Sequence, residues 1–146
     1  MCVLSIFFLA PHSLHCLSPF EFLYLNSHFL QDTIDLVKGL KIIQLNIRSL
    51  VSKIDLSRAW VTLYKPNIIT ISETWLHDNI TDDEIEIENF VLYRADRSSR
   101  GGGVITYVAA NLVSDHISPT VEPVNFECLF VNIIFHENKQ LTIGNS

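Results

Sequence analysis

Glu73 follows directly on "NIITIS" (67–72), a run of apolar, largely β-branched residues. A carboxylate at the end of a strand is held by a regular element, where site geometry is kept tightest. Such a group can bind a hard cation or move a proton. Asn46 lies at the end of a second apolar run, "LKIIQLNI" (40–47), 27 positions upstream. Arg94, Arg97 and Arg100 form the densest basic cluster, beside Gly101–Gly103 and offset only by Asp96. Guanidinium groups beside a glycine turn suit phosphate. On spacing alone, other readings stay open. Glu73 can simply start a loop, Asn46 can cap a helix, and the arginines can be a solvated hairpin tip.

Several other chemistries are argued against. No G-K-[ST] follows the glycines, so they are not a Walker loop. The acidic stretch Asp78, Asp82, Asp83, Glu84, Glu86 and Glu88 lacks the EF-hand pattern and reads as a solvated face, an exposed strand or a solvated turn. No two of the six histidines have H-x-x-x-H spacing, and no G-x-S-x-G elbow occurs. Cys2, Cys16 and Cys128 are odd in number and widely spread, which fits neither a disulfide framework nor a C-x-x-C metal site. A reducing, intracellular setting, nuclear or cytoplasmic, is expected.

The elements that must position these residues follow from the patterning. With 146 residues, 48% apolar and 18% charged, the chain can bury a core. Its net charge of −6 means that any grip on nucleic acid must be a local patch. The two apolar runs read as buried strands. Between them, Ser52 to Tyr64 reads as a helix that buries Leu56, Trp60 and Leu63, with Ser52 or Asp55 as cap and Pro66 as its end. Strand, helix and strand make a βαβ unit with parallel strands and a right-handed crossover. Both strands then end at one edge of the sheet, where ligands of open sheets bind. Asn46 and Glu73 meet there by topology. Two hairpins follow, Phe90 to Tyr93 with Val104 to Ala109, and 126–144 turning near Glu137 and Asn138.

Residues 1–38 are apolar and aromatic, broken by Pro11 and Pro19, with no Lys or Arg before Lys38. They lack the basic start of a signal peptide and are too interrupted to span a membrane. An N-terminal extension with little regular structure is expected, followed by one domain over 39–146.

With these residues laid out, the chain resembles the endonuclease/exonuclease/phosphatase family, and more narrowly the endonuclease domain of non-LTR (LINE-type) retrotransposons. The carriers are "IIQLNIRSLVSKIDLSRAW", "KPNIITISETWLHDNITDDEIEIENFVLYRADRSSRGGGVITYV" and the weaker "FECLFVNIIF" with "LTIG". The "SETWL" and "YRADR…GGGV" pairing sets this branch apart from lipid phosphatases and deadenylases of the wider family. The resemblance implies an α/β (α+β) fold, here the N-terminal half of a two-sheet β-sandwich flanked by helices. It implies Mg²⁺ or Mn²⁺ as cofactor, Glu73 as metal ligand and Asn46 as a supporting catalytic residue. DNA is the implied partner, with Arg94, Arg97 and Arg100 as backbone contacts, and no membrane is involved. The glycine run is implied to pack a hairpin, and Tyr107 is not the family's catalytic tyrosine. The family's later catalytic groups have no counterparts, so a fragment inactive alone is expected, prone to self-association through exposed sheet edges. The rival expectation is a non-catalytic module that binds protein or nucleic acid with the same half-fold.

Overall fold

In chain order the strands are β1 (Val3–Ala10), β2 (Ser13–Leu17), β3 (Leu40–Asn46), β4 (Ile68–Ser72), β5 (Phe90–Ala95), β6 (Val104–Ala109), β7 (Val113–Ile117), β8 (Leu129–Ile134) and β9 (Gln140–Asn145). Helix α1 (Ile54–Tyr64) joins β3 to β4 after a 3-10 turn at Val51–Lys53, and a single turn, α2 (Asp82–Ile85), precedes β5. The computed structural model describes residues 3–10, 13–17, 39–97, 101–118, 127–135 and 139–146, the first two ranges by backbone alone.

The fold is α+β, with one six-stranded sheet ordered β2-β1-β3-β4-β6-β5 and one three-stranded sheet ordered β7-β8-β9. The expected βαβ unit is present. β3 and β4 run parallel, with Asn46 opposite Ser72. The glycine-joined hairpin pairs Phe90 with Ala109 through Ala95 with Val104. The last hairpin pairs β8 with β9, and its expected turn at Glu137 and Asn138 lies outside the described residues.

Strand periodicity divides the core. Ile69 and Ile71 of β4, with Ile105 and Tyr107 of β6, join a cluster with Ile54, Tyr64, Leu76, Ile85 and Ile87. Their alternates Ile68, Val104 and Val108 join Leu129, Val131 and Ile133 of the second sheet. A side-chain period of two sends neighbours to opposite faces. Central strands with both faces covered read as continuous apolar runs for that reason.

Three expectations need correction. Leu56 and Leu63 of α1 are 44% and 43% exposed, while Ile54, Ser57 and Tyr64 are buried and Val61 packs beside Trp60. A second apolar arc at 54, 57, 61 and 64 competes with the first, and the small Ser57 fits beneath the helix. Its hydroxyl returns to the Lys53 carbonyl at 3.2 Å. Neither Ser52 nor Asp55 caps α1, since Ser52 Oγ donates to the Ser49 carbonyl and Asp55 pairs with Arg58. The helix closes on Lys65 in the left-handed region, whose N–H donates to the Val61 carbonyl at 2.9 Å just before Pro66.

The acidic stretch is a solvated turn, with α2 inside it and Asp78, Asp82, Asp83, Glu84, Glu86 and Glu88 all exposed. The backbone N–H and hydroxyl of Thr81 donate to the Glu84 carboxylate at 2.9 and 3.1 Å, and Ile85 and Ile87 enter the core. Residues 1–38 are not without regular structure, since Val3–Ala10 and Ser13–Leu17 are strands and β1 pairs antiparallel with the whole of β3. That pairing covers the backbone edge of β3, which is otherwise open to any passing strand. The ends of the two sheets are β2 and β5, and β7 and β9.

Candidate functional site

The parallel pair delivers its C-terminal ends to a corner that the β5–β6 hairpin closes from the other side. Beyond β3, the N–H groups of Ile47, Ser49 and Leu50 donate to the carbonyls of Ser72, Glu73 and Thr74 at 3.1, 3.0 and 2.8 Å. From the hairpin, the carbonyls of Gly103 and Gly102 accept from the N–H groups of Thr74 and Trp75 at 3.1 and 2.9 Å. Residues 73–75 are therefore held from both sides.

The hold imposes an unusual backbone. Arg48, Ser49, Glu73 and Trp75 have φ of +48°, +77°, +57° and +54°, four of the six described non-glycine residues in that region. Each costs about 1–3 kcal/mol and persists only where its surroundings over-determine it. The glycines make the approach possible. A Cβ on Gly103 would lie 2.6 Å from Thr74 Oγ1, and one on Gly102 would lie 2.8 Å from Arg97 Cδ and 2.9 Å from Glu127 Oε2. The run packs a hairpin against the strand corner.

Glu73 is the carboxylate of this corner. Its Oε2 accepts the indole N–H of Trp75 at 2.9 Å and the backbone N–H of Gly102 at 3.3 Å. The Trp75 and Gly102 bonds hold its pKa below the ordinary value, against a small opposing effect of burial, and the charges of Arg48 and Arg97 lower it further. A carboxylate so held stays ionised at neutral pH. Among the described residues nothing donates to Oε1. Asn46 stands opposite the residue before Glu73, and its buried Oδ1 has no hydrogen-bond partner among the described residues. A buried amide oxygen without a donor is costly, which makes it a natural place for a cation or its waters. The other buried orphan, Thr74 Oγ1, faces Gly103.

The three arginines separate. Arg94 is engaged by the protein's own acceptors. It bonds Asp96, Asp82 at 2.8 Å and the Ile80 carbonyl at 2.9 Å, and its side chain is 16% exposed. It ties β5 to residues 77–82, because partners twelve residues away in sequence fold over it. The bonds to Asp96 and Asp82 raise its pKa against burial. Arg97 does reach the corner, at 46% exposure and with Nε 3.1 Å from Glu127. Arg100 lies outside the described residues. Tyr107 is fully buried with its hydroxyl donating to the Ile85 carbonyl at 2.7 Å, so it takes no part in the corner.

Sequence reasoning missed Arg48, Trp75 and Glu127 as members of the corner. The first two lie within two residues of Asn46 and Glu73, a proximity that was available as a signal. Glu127 comes from the second sheet's side of the fold, and nothing in the spacing announces it. No protein-family model and no curated protein matches this chain.

Proposed function

We propose that this corner is the cation-binding half of a divalent-metal-dependent DNA endonuclease site. Glu73 is the metal ligand and Asn46 Oδ1 supports the ion or its water. The observation that carries this reading is the pairing of an ionised carboxylate with an unpartnered amide oxygen at the same end of a parallel strand pair. The donor set suits Mg²⁺ or Mn²⁺, hard ions that take oxygen ligands and keep several waters. When bound, such an ion polarises a phosphoryl oxygen and stabilises the leaving oxyanion. The chain's own residues do the rest. Trp75 and Gly102 fix the carboxylate, and Arg48 and Arg97 favour a phosphate beside it.

Among the described residues no histidine or second carboxylate bonds to Glu73, so we assign the corner cation and phosphate binding and not water activation. The chain by itself is then inert as a nuclease. Losing a general base typically costs about 10²–10⁴-fold in rate.

The test is Mn²⁺ titration followed by electron paramagnetic resonance, with plasmid nicking in Mg²⁺ alongside. One Mn²⁺ site is expected, lost in Glu73→Gln and weakened in Asn46→Leu, with supercoiled plasmid left intact. Equal Mn²⁺ binding by the parent and Glu73→Gln would sink the metal assignment. Nicking that disappears in Glu73→Gln would sink the inert-chain assignment.

A further inference from the structure

Trp75 is 46% exposed, although its ring is not free to turn. Its one polar atom is committed to Glu73, its backbone is held by Gly102, and Gly101 lies beside the ring with space where a Cβ would meet Nε1 at 3.8 Å. A ring held in this way keeps carbon surface in solvent while its polar atom is committed. Burying that surface against a partner would be favourable.

The charges around it select the partner. Arg48 is exposed and makes no ion pair among the described residues. It and Arg97 act on Glu73 electrostatically, so two cations sit at the corner of a chain whose net charge is −6. Arg48 precedes Ser49, whose N–H donates to the Glu73 carbonyl at 3.0 Å, so an unpaired guanidinium and a fixed aromatic ring start from the same corner, a combination that matches a flat base joined to a phosphate. An uncharged peptide side chain would use the ring and leave Arg48 unanswered.

From this juxtaposition we infer that Trp75 and Arg48 form a binding step for one unpaired nucleotide, the base stacked on Trp75 and its phosphate on Arg48, directly beside Glu73. A base inside a duplex is already stacked on its neighbours and cannot use the ring, so the step takes single-stranded or extruded nucleotides. The inference rests on the endonuclease reading for the adjoining phosphate, but it makes its own demand on the base.

The experiment is run in EDTA, so that its failure and that of metal binding are separable. Trp60→Phe leaves Trp75 as the only tryptophan. Its fluorescence is followed with a short oligothymidylate and with an abasic oligomer of equal length and charge. The base-bearing strand is expected to quench Trp75 and to bind about tenfold more tightly. Anisotropy of a labelled strand should show Trp75→Ala losing that advantage, Trp75→Phe keeping most of it, and Arg48→Ala weakening both strands alike. Equal affinity of the parent for the two strands overturns the inference, whether or not Trp75→Ala folds. So does an unquenched Trp75 at saturation.

Discussion

The indole N–H of Trp75 donates to Oε2 of Glu73, two residues before it, at 2.9 Å. Both residues are in the left-handed backbone region. In an extended strand, residues two apart share a face but are spread along the chain. Here the positive φ values curl the chain so that one side chain can close on the other. The glycine run holds the curl, so the strained backbone, the hairpin and the ionised carboxylate form one device.

The acid limb of stability follows from this bond. Glu73 has a folded pKa below its ordinary, unfolded value. Its contribution is therefore present above the unfolded pKa and is lost as pH falls through the lowered folded one. Urea unfolding between neutral and acid pH should show Glu73→Gln with a shallower acid loss than the parent. Trp75→Phe removes the largest cause of the lowering, so the Glu73 carboxyl should titrate closer to its ordinary value by NMR. An unchanged titration in Trp75→Phe would show that the indole bond does not govern the carboxylate.

How much of this was legible in the sequence depended on the range of the interaction. β3 and β4 carry their apolar runs openly, and their parallel pairing follows from the helix between them, so the meeting of Asn46 and Glu73 could be read. The face of α1 could not. Apolar residues lie on both arcs of the helix, and only the sheet beneath decides that Ser57 goes in and Leu56 stays out. The internal ion pairs of Arg94 could not be read either, because its charge is visible in sequence and the nearness of Asp82 is not. The left-handed conformations of Glu73 and Trp75 are imposed by backbone bonds to Gly102 and Gly103, about thirty residues downstream. No local preference signals them.

Arg94 should matter to folding and not to DNA. Its guanidinium serves Asp96, Asp82 and two backbone carbonyls, and Asp96 is only 15% exposed. Arg94→Ala leaves that carboxylate poorly solvated, and urea denaturation should show a loss of about 2–3 kcal/mol. Arg94→Lys should recover little of it, because an ammonium cannot reproduce the fork. A strand-binding defect in a folded, undiminished Arg94→Ala protein would return this arginine to the DNA surface.

Asn145 is a polar link between the two sheets, as is the Tyr93 hydroxyl of β5, which donates to the Ser114 carbonyl of β7 at 2.9 Å. Its side-chain amide is buried and donates to the carbonyls of Ile71 and Ile105 at 3.2 and 2.9 Å. The residue belongs to β9, whereas its acceptors lie on β4 and β6. Asn145→Ala should cost about 1–3 kcal/mol by loss of these bonds and of the volume beneath them. Chemical denaturation measures it. If the two sheets depend on each other through this residue, the mutant should also lose protection from hydrogen exchange in β8 and β9 first. Unchanged protection there would mean that the apolar cluster and the Tyr93–Ser114 bond suffice to join the sheets.

Gly103→Ala tests the corner itself. Its φ of +79° disfavours any side chain, and the added Cβ would meet Thr74 Oγ1 at 2.6 Å. Thr74 is fully buried and cannot swing away, so the hairpin must retreat from residues 73–75. Strain at one such position costs about 1–3 kcal/mol. Part of that should appear as a lower midpoint in thermal melting. The rest should appear at Glu73, because retreat of the hairpin lengthens the Gly102 N–H contact and lets the carboxyl titrate at a higher pH. Gly103→Ala combined with Thr74→Ser keeps the hydroxyl in place and should gain little. Gly103→Ala with Thr74→Ala opens the space and should recover the contact part of the loss while the φ penalty remains. Equal melting of Gly103→Ala and the Thr74→Ala double variant would assign the whole effect to backbone conformation.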